Sequence, residues 1–251
     1  STLIGASYAA VLSVLLDDAR RLRRFAVIDA PLSADVAEVL RLRRGFDSSF
    51  GALYWPALSC AQCSDGRTPA SGAVCGAYAL SDQERGVFRS AGSLLLPSAG
   101  APVAQATSSE LADLDAAGIN VIRALPGIGV RVSGAHTLSF DRELRSLTVR
   151  RHLLFLQNSI ARGTRWTVHE RNDARLWQEL RTRIAEFLRW QFLDGAFMGS
   201  QAAEAYYVHC DESTVSADDR TAGLVVCEIG VALLRAAEFI TFRVAQRTAR
   251  L

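Results

Sequence analysis

The sequence lacks lysine altogether, and all of its basic side chains are arginine. Because 28 basic residues are nearly balanced by 26 acidic ones, the formal net charge is only +2. So small a charge does not indicate a nucleic acid or a membrane surface as the main partner. No apolar run approaches the ~20 residues that a membrane-spanning helix requires, and the apolar start, residues 3–16, lacks the basic segment of a signal peptide. What remains is typical of a globular chain, whose 251 residues suffice for one large or two modest domains.

The signatures of common enzyme sites are also missing. The chain contains no G-x-S-x-G elbow, no Walker loop and no H-E-x-x-H motif. Gly127, Gly129 and Gly134 have the wrong spacing for a dinucleotide loop, and they lead into an extended run where a phosphate site needs a helix N-terminus. The sequence therefore predicts no catalytic residue, no cofactor and no metal. An α/β enzyme that uses residues 119–134 as a cofactor loop is the alternative.

The five cysteines are an odd number, and their spacing is uninformative. Cys60 and Cys63 have half of a zinc-knuckle spacing, but no second pair follows, and Cys75 is a poor substitute. The other two, Cys210 and Cys227, lie far away in the sequence. We expect all five to be reduced thiols in a protein that folds in the cytosol.

The first half of the chain has the pattern of a strand, a helix and a second strand. Residues 25–30 and 50–55 are short apolar runs that are each ended by proline, and a helical stretch between them follows Ser33 and ends at Gly45. This spacing predicts a parallel pair of strands with a right-handed crossover. A loop over 59–71, a short helix over 71–80 and a flexible segment over 90–110 are expected to follow.

The second half alternates strands and helices. We expect strands at 119–123, 129–132, 166–169, 206–210, 224–231 and 238–245. Helices are expected over 147–162 and from a cap at Asn172 or Asp173 to Gly195, and Ser216 with Asp219 has the spacing of a capping box. The fold class is predicted to be α/β of a mixed α+β kind, with a mixed sheet flanked by helices. The domains are predicted as 1–115 and 116–251.

Ten short segments resemble, in order, those of the phage tail sheath family, which also includes the sheaths of R-type bacteriocins and extracellular contractile injection systems. Residues 24–31 resemble the family's RFAILDAP, and 118–132, GINVIRALPGIGVRV, is the strongest stretch. Residues 149–166 are similar to VRR…SIERGTRW, 207–214 to FVRCDETT, and 226–240 to VEIGVAPVRPAEFI. The family's N-terminal arm motif, PGVYVEE, is not found, so the resemblance indicates the C-terminal portion of a subunit.

The resemblance implies a structural protein and not an enzyme. Sheath subunits of this family stack as hexameric rings around an inner tube, and they contract without nucleotide to drive the tube through a target envelope. The implied partners are further copies of the chain, the inner tail tube protein, and baseplate and terminator proteins, with no nucleic acid and no direct membrane insertion. Assembly is expected in the bacterial cytoplasm, within a phage tail or an injection particle.

The resemblance also implies that a terminal arm, residues 236–251, adds a strand to a neighbouring subunit. Apolar and polar residues alternate along this segment, and an apolar strand at a chain end is a hazard unless something covers it. The intersubunit strand is assigned to Phe239, Ile240, Thr241, Phe242, Arg243, Val244, Ala245 and Gln246. Pairing of this strand inside its own subunit is the alternative.

Overall fold

The computed structural model describes residues 2–90, 92–97 and 99–249, with side chains from residue 7 onward. The chain divides into two compact units, Ser1–Leu154 and Phe155–Leu251. The division lies beyond the predicted boundary at 115/116, because strands at 120–133 complete the sheet of the first unit. The mixed α/β fold class is confirmed, and none of the helices in the described part is long and apolar enough to cross a membrane.

The first unit contains most of the short strands. Its elements are α1 (Thr2–Arg21), β1 (Ala26–Asp29), α2 (Val36–Arg43), β2 (Gly51–Trp55), β3 (Leu58–Ser59), β4 (Arg67–Thr68), α3 (Ser71–Arg85), α4 (Ser108–Ala116), β5 (Asn120–Leu125) and β6 (Gly129–Ser133). The division of the chain falls within α5 (Leu147–Gly163). Strands β1 and β2 are parallel, as the strand–helix–strand pattern predicts.

The main sheet of this unit has the order β1-β2-β5-β6. Strand β5 is parallel to β2, whereas β6 is antiparallel to β5, so the sheet is mixed. Along β2, Leu53 and Trp55 contribute to one hydrophobic cluster, while Ala52 and Tyr54 contribute to another. Because successive strand residues point to opposite faces, both faces of the sheet are covered, which explains the uninterrupted apolar run.

Two expectations about the first unit need correction. The predicted loop at 59–71 contains the small antiparallel hairpin of β3 and β4. Its turn brings the Cα atoms of Cys60 and Cys63 to 5.4 Å, a separation that a disulfide can span, and the two residues are disulfide-bonded. The expectation of reduced thiols is therefore wrong for this pair. Cys75, Cys210 and Cys227 are free thiols.

The second unit continues from α5 with helices and one antiparallel sheet. Its elements are a 3₁₀ helix (Arg165–His169), α6 (Ala174–Leu193), α7 (Ala202–Ala205), β7 (Tyr206–His209), α8 (Ala217–Thr221), β8 (Leu224–Val231) and β9 (Ile240–Arg247). The prediction of a strand at 166–169 is wrong, because these residues lie in the 3₁₀ helix. Thr167 is fully buried, its N–H donates to the carbonyl of Thr164, and its carbonyl accepts from the N–H of Glu170. Hydrogen bonds between residues three positions apart are the geometry of a 3₁₀ helix.

Helix ends in the second unit follow the sequence signals. The side chain of Asp173 accepts a hydrogen bond from the backbone N–H of Leu176 at 3.0 Å, and so caps α6. Ser216 and Asp219 form the predicted capping box at the start of α8. The hydrogen bonds that Ser216 donates lower the pKa of Asp219, since they favour its charged form.

Candidate functional site: the C-terminal sheet

The predicted arm strand lies in a three-stranded antiparallel sheet of the order β7-β8-β9. Strand β9 contains Ile240–Gln246 of the predicted segment, and Phe239 immediately precedes it. All eight residues of β9 are in register with β8, from Val231 opposite Ile240 to Leu224 opposite Arg247. Within this chain the segment therefore folds back on its own β8, which is the alternative that the sequence left open. Residues 250 and 251 of the predicted arm lie outside the described residues.

The two faces of β9 differ as the alternation predicts. Phe242 and Val244 are buried, with 8% and 2% of their surface exposed, and Ile240 is half-buried. Thr241 and Arg243 are exposed on the other face. The apolar face supplies the contact that stabilises the strand, and it requires a covering partner wherever the strand docks.

An ion pair fixes the register on the exposed face. Nε and Nη2 of Arg243 donate hydrogen bonds to Oε2 of Glu228 at 3.0 and 2.9 Å. These residues are direct cross-strand partners, a position where opposite charges stabilise pairing. Because the arginine is largely exposed, the pair contributes more to register than to stability.

Tyr207 connects β7 with β9 across the intervening strand. Its hydroxyl lies 2.9 Å from Oγ1 of Thr241, and its ring makes an edge contact with Phe239, with centroids 5.1 Å apart. The ring lies over Gly230, where an added Cβ would come within 2.1 Å of it. Glycine at this position of β8 is therefore required for Tyr207 to reach β9.

The far end of β9 is anchored by hydrogen bonds. Nε2 of Gln246 donates to the carbonyl of Ala161 at 2.7 Å and to Oγ1 of Thr164 at 2.8 Å. Oγ1 of Thr167 donates to the carbonyl of Arg247 at 2.9 Å. The sequence assigned Gln246 to the arm, but it gave no signal for Thr164 or Thr167, because their role depends on a contact more than 75 residues away.

Strand β9 is the last strand of its sheet in the described part of the chain, so one of its edges has no strand partner. The connection from β8 to β9 comprises residues 232–239, in which Ala237 has a positive φ of 59°. Left-handed backbone is unfavourable for alanine, so this connection is locally strained. The contact with a neighbouring subunit stays a prediction for residues 239–246.

The rival site at 119–134 has the geometry of a hairpin. Strands β5 and β6 are joined by a turn in which the N–H of Ile128 donates to the carbonyl of Leu125 at 3.1 Å. Pro126 and Gly127 occupy its central positions, and the φ of 72° at Gly127 fits a type II turn. These glycines lead into strand β6 and not into the helix N-terminus on which a cofactor loop depends.

Comparison with solved structures places this fold in a class. A cryo-EM structure of the anti-feeding prophage baseplate matches with a TM-score of 0.78 and 28% identity, over 94% of this chain and 63% of the other. The contracted sheath complex of an extracellular contractile injection system, PVC, matches with a TM-score of 0.75 and 28% identity, over 86% of this chain and 62% of the other. The helical sheath of the anti-feeding prophage in the contracted state matches with a TM-score of 0.74 and 28% identity, over 96% of this chain and 65% of the other. The chain thus has the fold of contractile sheath proteins, and it spans a little under two thirds of the length of these relatives.

Family comparison adds the more specific assignment. Residues 139–247 match the phage tail sheath C-terminal domain, a range that includes the whole of β7, β8 and β9. No curated protein sequence matches the chain. Together with the structural matches, this result bears out the resemblance to contractile tail sheath proteins that the sequence motifs indicate.

Proposed function

We propose that this chain is part of a structural subunit of a contractile tail sheath. The subunit polymerises as stacked hexameric rings around an inner tube, and contraction drives the tube through a target envelope. Its partners are further copies of itself, the inner tail tube protein, and baseplate and terminator proteins, and assembly takes place in the bacterial cytoplasm. The subunit has no catalytic role. The match of residues 139–247 to the phage tail sheath C-terminal domain supports this function, and the pairing of the last strand, β9, with β8 is the observation that carries it.

Strand β9 is suited to exchange between copies. Every contact that it makes with β8 can be made equally well with β8 of an identical subunit, which is the basis of strand swapping. The connecting residues 232–239 reach up to ~26 Å when extended, and the strain at Ala237 favours their rearrangement. Residues 236–251 thus act as the arm, with 239–246 as the intersubunit strand.

A cysteine cross-link distinguishes pairing within a subunit from exchange. Glu228 in β8 lies opposite Arg243 in β9 and also opposite His209 in β7. The test variant is Glu228→Cys with Arg243→Cys, and the matched control is Glu228→Cys with His209→Cys. Both are made in the full-length gene product, assembled into sheaths, oxidised and separated on non-reducing gels.

Exchange predicts that the β8–β9 pair gives a ladder of covalent oligomers from assembled sheaths. The control pair should remain within one chain, because β7 and β8 belong to the same subunit. A β8–β9 pair that stays in the monomer band, from sheaths of normal length, would refute the exchange. Failure of the gene product to form tubes in any variant, including the unmodified protein, would refute the sheath function itself.

A further inference from the structure

Two buried cysteines face each other across strands β7 and β8. His209 is the last paired residue of β7 and lies opposite Glu228, so the next position in register places Cys210 opposite Cys227. The two residues have 0% and 3% of their surface exposed. Their Sγ atoms are 2.9 Å apart, and both are free thiols.

This arrangement fits a disulfide better than a metal site. Directly opposed residues of antiparallel strands have Cα atoms ~4.5–5.5 Å apart, within the usual range for disulfides of about 4.4–6.8 Å. A zinc ion bound by both sulfurs at about 2.3 Å each would hold them well beyond 3 Å apart in tetrahedral geometry. Among the residues that the structure describes, no cluster of three potential metal ligands includes this pair.

We propose that Cys210 and Cys227 are a redox site, which closes to a cross-strand disulfide on oxidation by a peroxide and reopens with a thiol reductant. One sulfur attacks a peroxide oxygen, an S–O bond forms, and the O–O bond breaks with release of water. The second sulfur then attacks the resulting sulfenic acid, an S–S bond forms, and a second water leaves. The two thiols lose one electron each, and hydrogen peroxide is reduced to two waters.

Burial should make this reaction slow and its product stable. The hydrogen bond with the Cys210 thiol and burial raise the pKa of Cys227, so the reactive thiolate is scarce in the folded chain. Cys75 is exposed and should react with peroxide sooner. Once formed, the disulfide closes the segment 211–226, which includes α8, and it should raise the melting temperature of the second unit by roughly 15 °C.

The bond would join β7 to β8 and leave β9 untouched. Residues 232–251 lie outside the closed segment, so the disulfide would stiffen the strands that receive β9 without restricting exchange of β9 itself. The oxidation takes place within one folded chain and does not depend on assembly. Failure of sheaths to form would therefore refute the proposed function without changing the result expected for this cysteine pair.

Peptide mapping tests the proposal directly, because trypsin cleaves between the two cysteines. Cleavage after Arg189, Arg220 and Arg235 places Cys210 in peptide 190–220 and Cys227 in peptide 221–235. The chain, with Cys75→Ala to prevent cross-links between copies, is treated with hydrogen peroxide at 37 °C. Samples are quenched with catalase, alkylated in denaturant, digested without reductant and analysed by mass spectrometry.

The expected result is a pair of linked peptides, 190–220 with 221–235, that separates on reduction, together with a higher melting temperature. In Cys210→Ala the linked species and the temperature shift should both disappear. The proposal is wrong if both peptides are recovered separately alkylated after prolonged oxidation. It is also wrong if either cysteine is found linked only to Cys60, to Cys63 or to a second copy of the chain.

Discussion

The buried imidazole of His152 should make the stability of the first unit sensitive to mild acid. His152 lies in α5 with 3% of its surface exposed, and its ring centroid is 5.9 Å from that of Phe88. Burial lowers the pKa of His152 to about 4, because the charged form loses its hydration. In the unfolded chain the same group has a pKa of about 6.5.

The sign of the effect follows from proton binding. Above pH 6.5 the imidazole is neutral in both states, so its contribution to stability is fully present. Between pH 6.5 and 4 the unfolded chain binds a proton that the folded chain does not, and stability falls as the pH falls. With a pKa of about 4 in the folded state, the loss between pH 7 and pH 4.5 is about 2 kcal/mol for this group alone.

Urea unfolding followed by circular dichroism at pH 7 and pH 4.5 measures this loss. In His152→Gln the decrease in unfolding free energy over this range should be smaller by about 2 kcal/mol than in the unmodified protein. His169→Gln is the matched control, since His169 is exposed. An equal pH dependence in His152→Gln and in the unmodified protein would refute the reasoning.

Two further predictions test the packing of β9 and the capping of α3. Phe242→Ala removes a side chain that is only 8% exposed and should lower the free energy of unfolding by about 3 kcal/mol. Thr241→Ala, on the exposed face of the same strand, should lower it by at most about 1 kcal/mol. Urea unfolding measures both values, and equal losses would contradict the burial argument. Asp29→Ala removes a carboxylate that accepts hydrogen bonds from the N–H groups of Ala70 and Ser71 at 2.7 and 2.9 Å, and so caps α3. The free energy of unfolding should fall by about 1–2 kcal/mol, and hydrogen exchange in the first turn of α3 should become faster. Unchanged exchange there would contradict the capping role.

Elements with a long, consistent pattern could be predicted from the sequence. The apolar runs at 25–30 and 50–55 indicate a parallel pair, because both faces of that part of the sheet are buried. Asp173 and Gly195 mark the two ends of α6 within a few residues. Capping residues and helix-ending glycines act on the backbone next to them, so the ends of a helix can be predicted from the sequence alone. The four residues at 166–169 alternate like a strand, but the burial of Thr167 and its hydrogen bonds to residues three positions away favour a 3₁₀ turn.

The candidate site could be predicted only in part. The alternation of Ile240, Phe242 and Val244 indicates a strand with one apolar face, and the structure confirms that strand. The anchoring of Gln246 by Ala161 and Thr164 could not be predicted, because contacts between distant residues leave no periodic signal. Nor does the alternation say whose β8 receives the strand, since every copy of the chain offers the same partner.

The length of the β8–β9 connection decides between those partners. Deleting residues 234–237 would leave a connection of four residues, which suits a hairpin within one subunit. The deletion would also remove the strained Ala237, together with the hydrogen bond from its N–H to the carbonyl of Glu204. The extended reach of the connection would fall from ~26 to ~13 Å. We therefore expect the second unit to stay folded, as judged by hydrogen exchange in β8, while sheath tubes no longer form.

The matched control replaces the same four residues with glycine and serine at constant length. Because this variant keeps the reach but loses the side chains, it should still form tubes, and its melting temperature should change little. Tubes of normal length from the shortened variant would mean that β9 stays with its own β8 in the particle. A sheath subunit would then have to be held to its neighbours by another surface, since a closed hairpin offers them only the outer edge of β9.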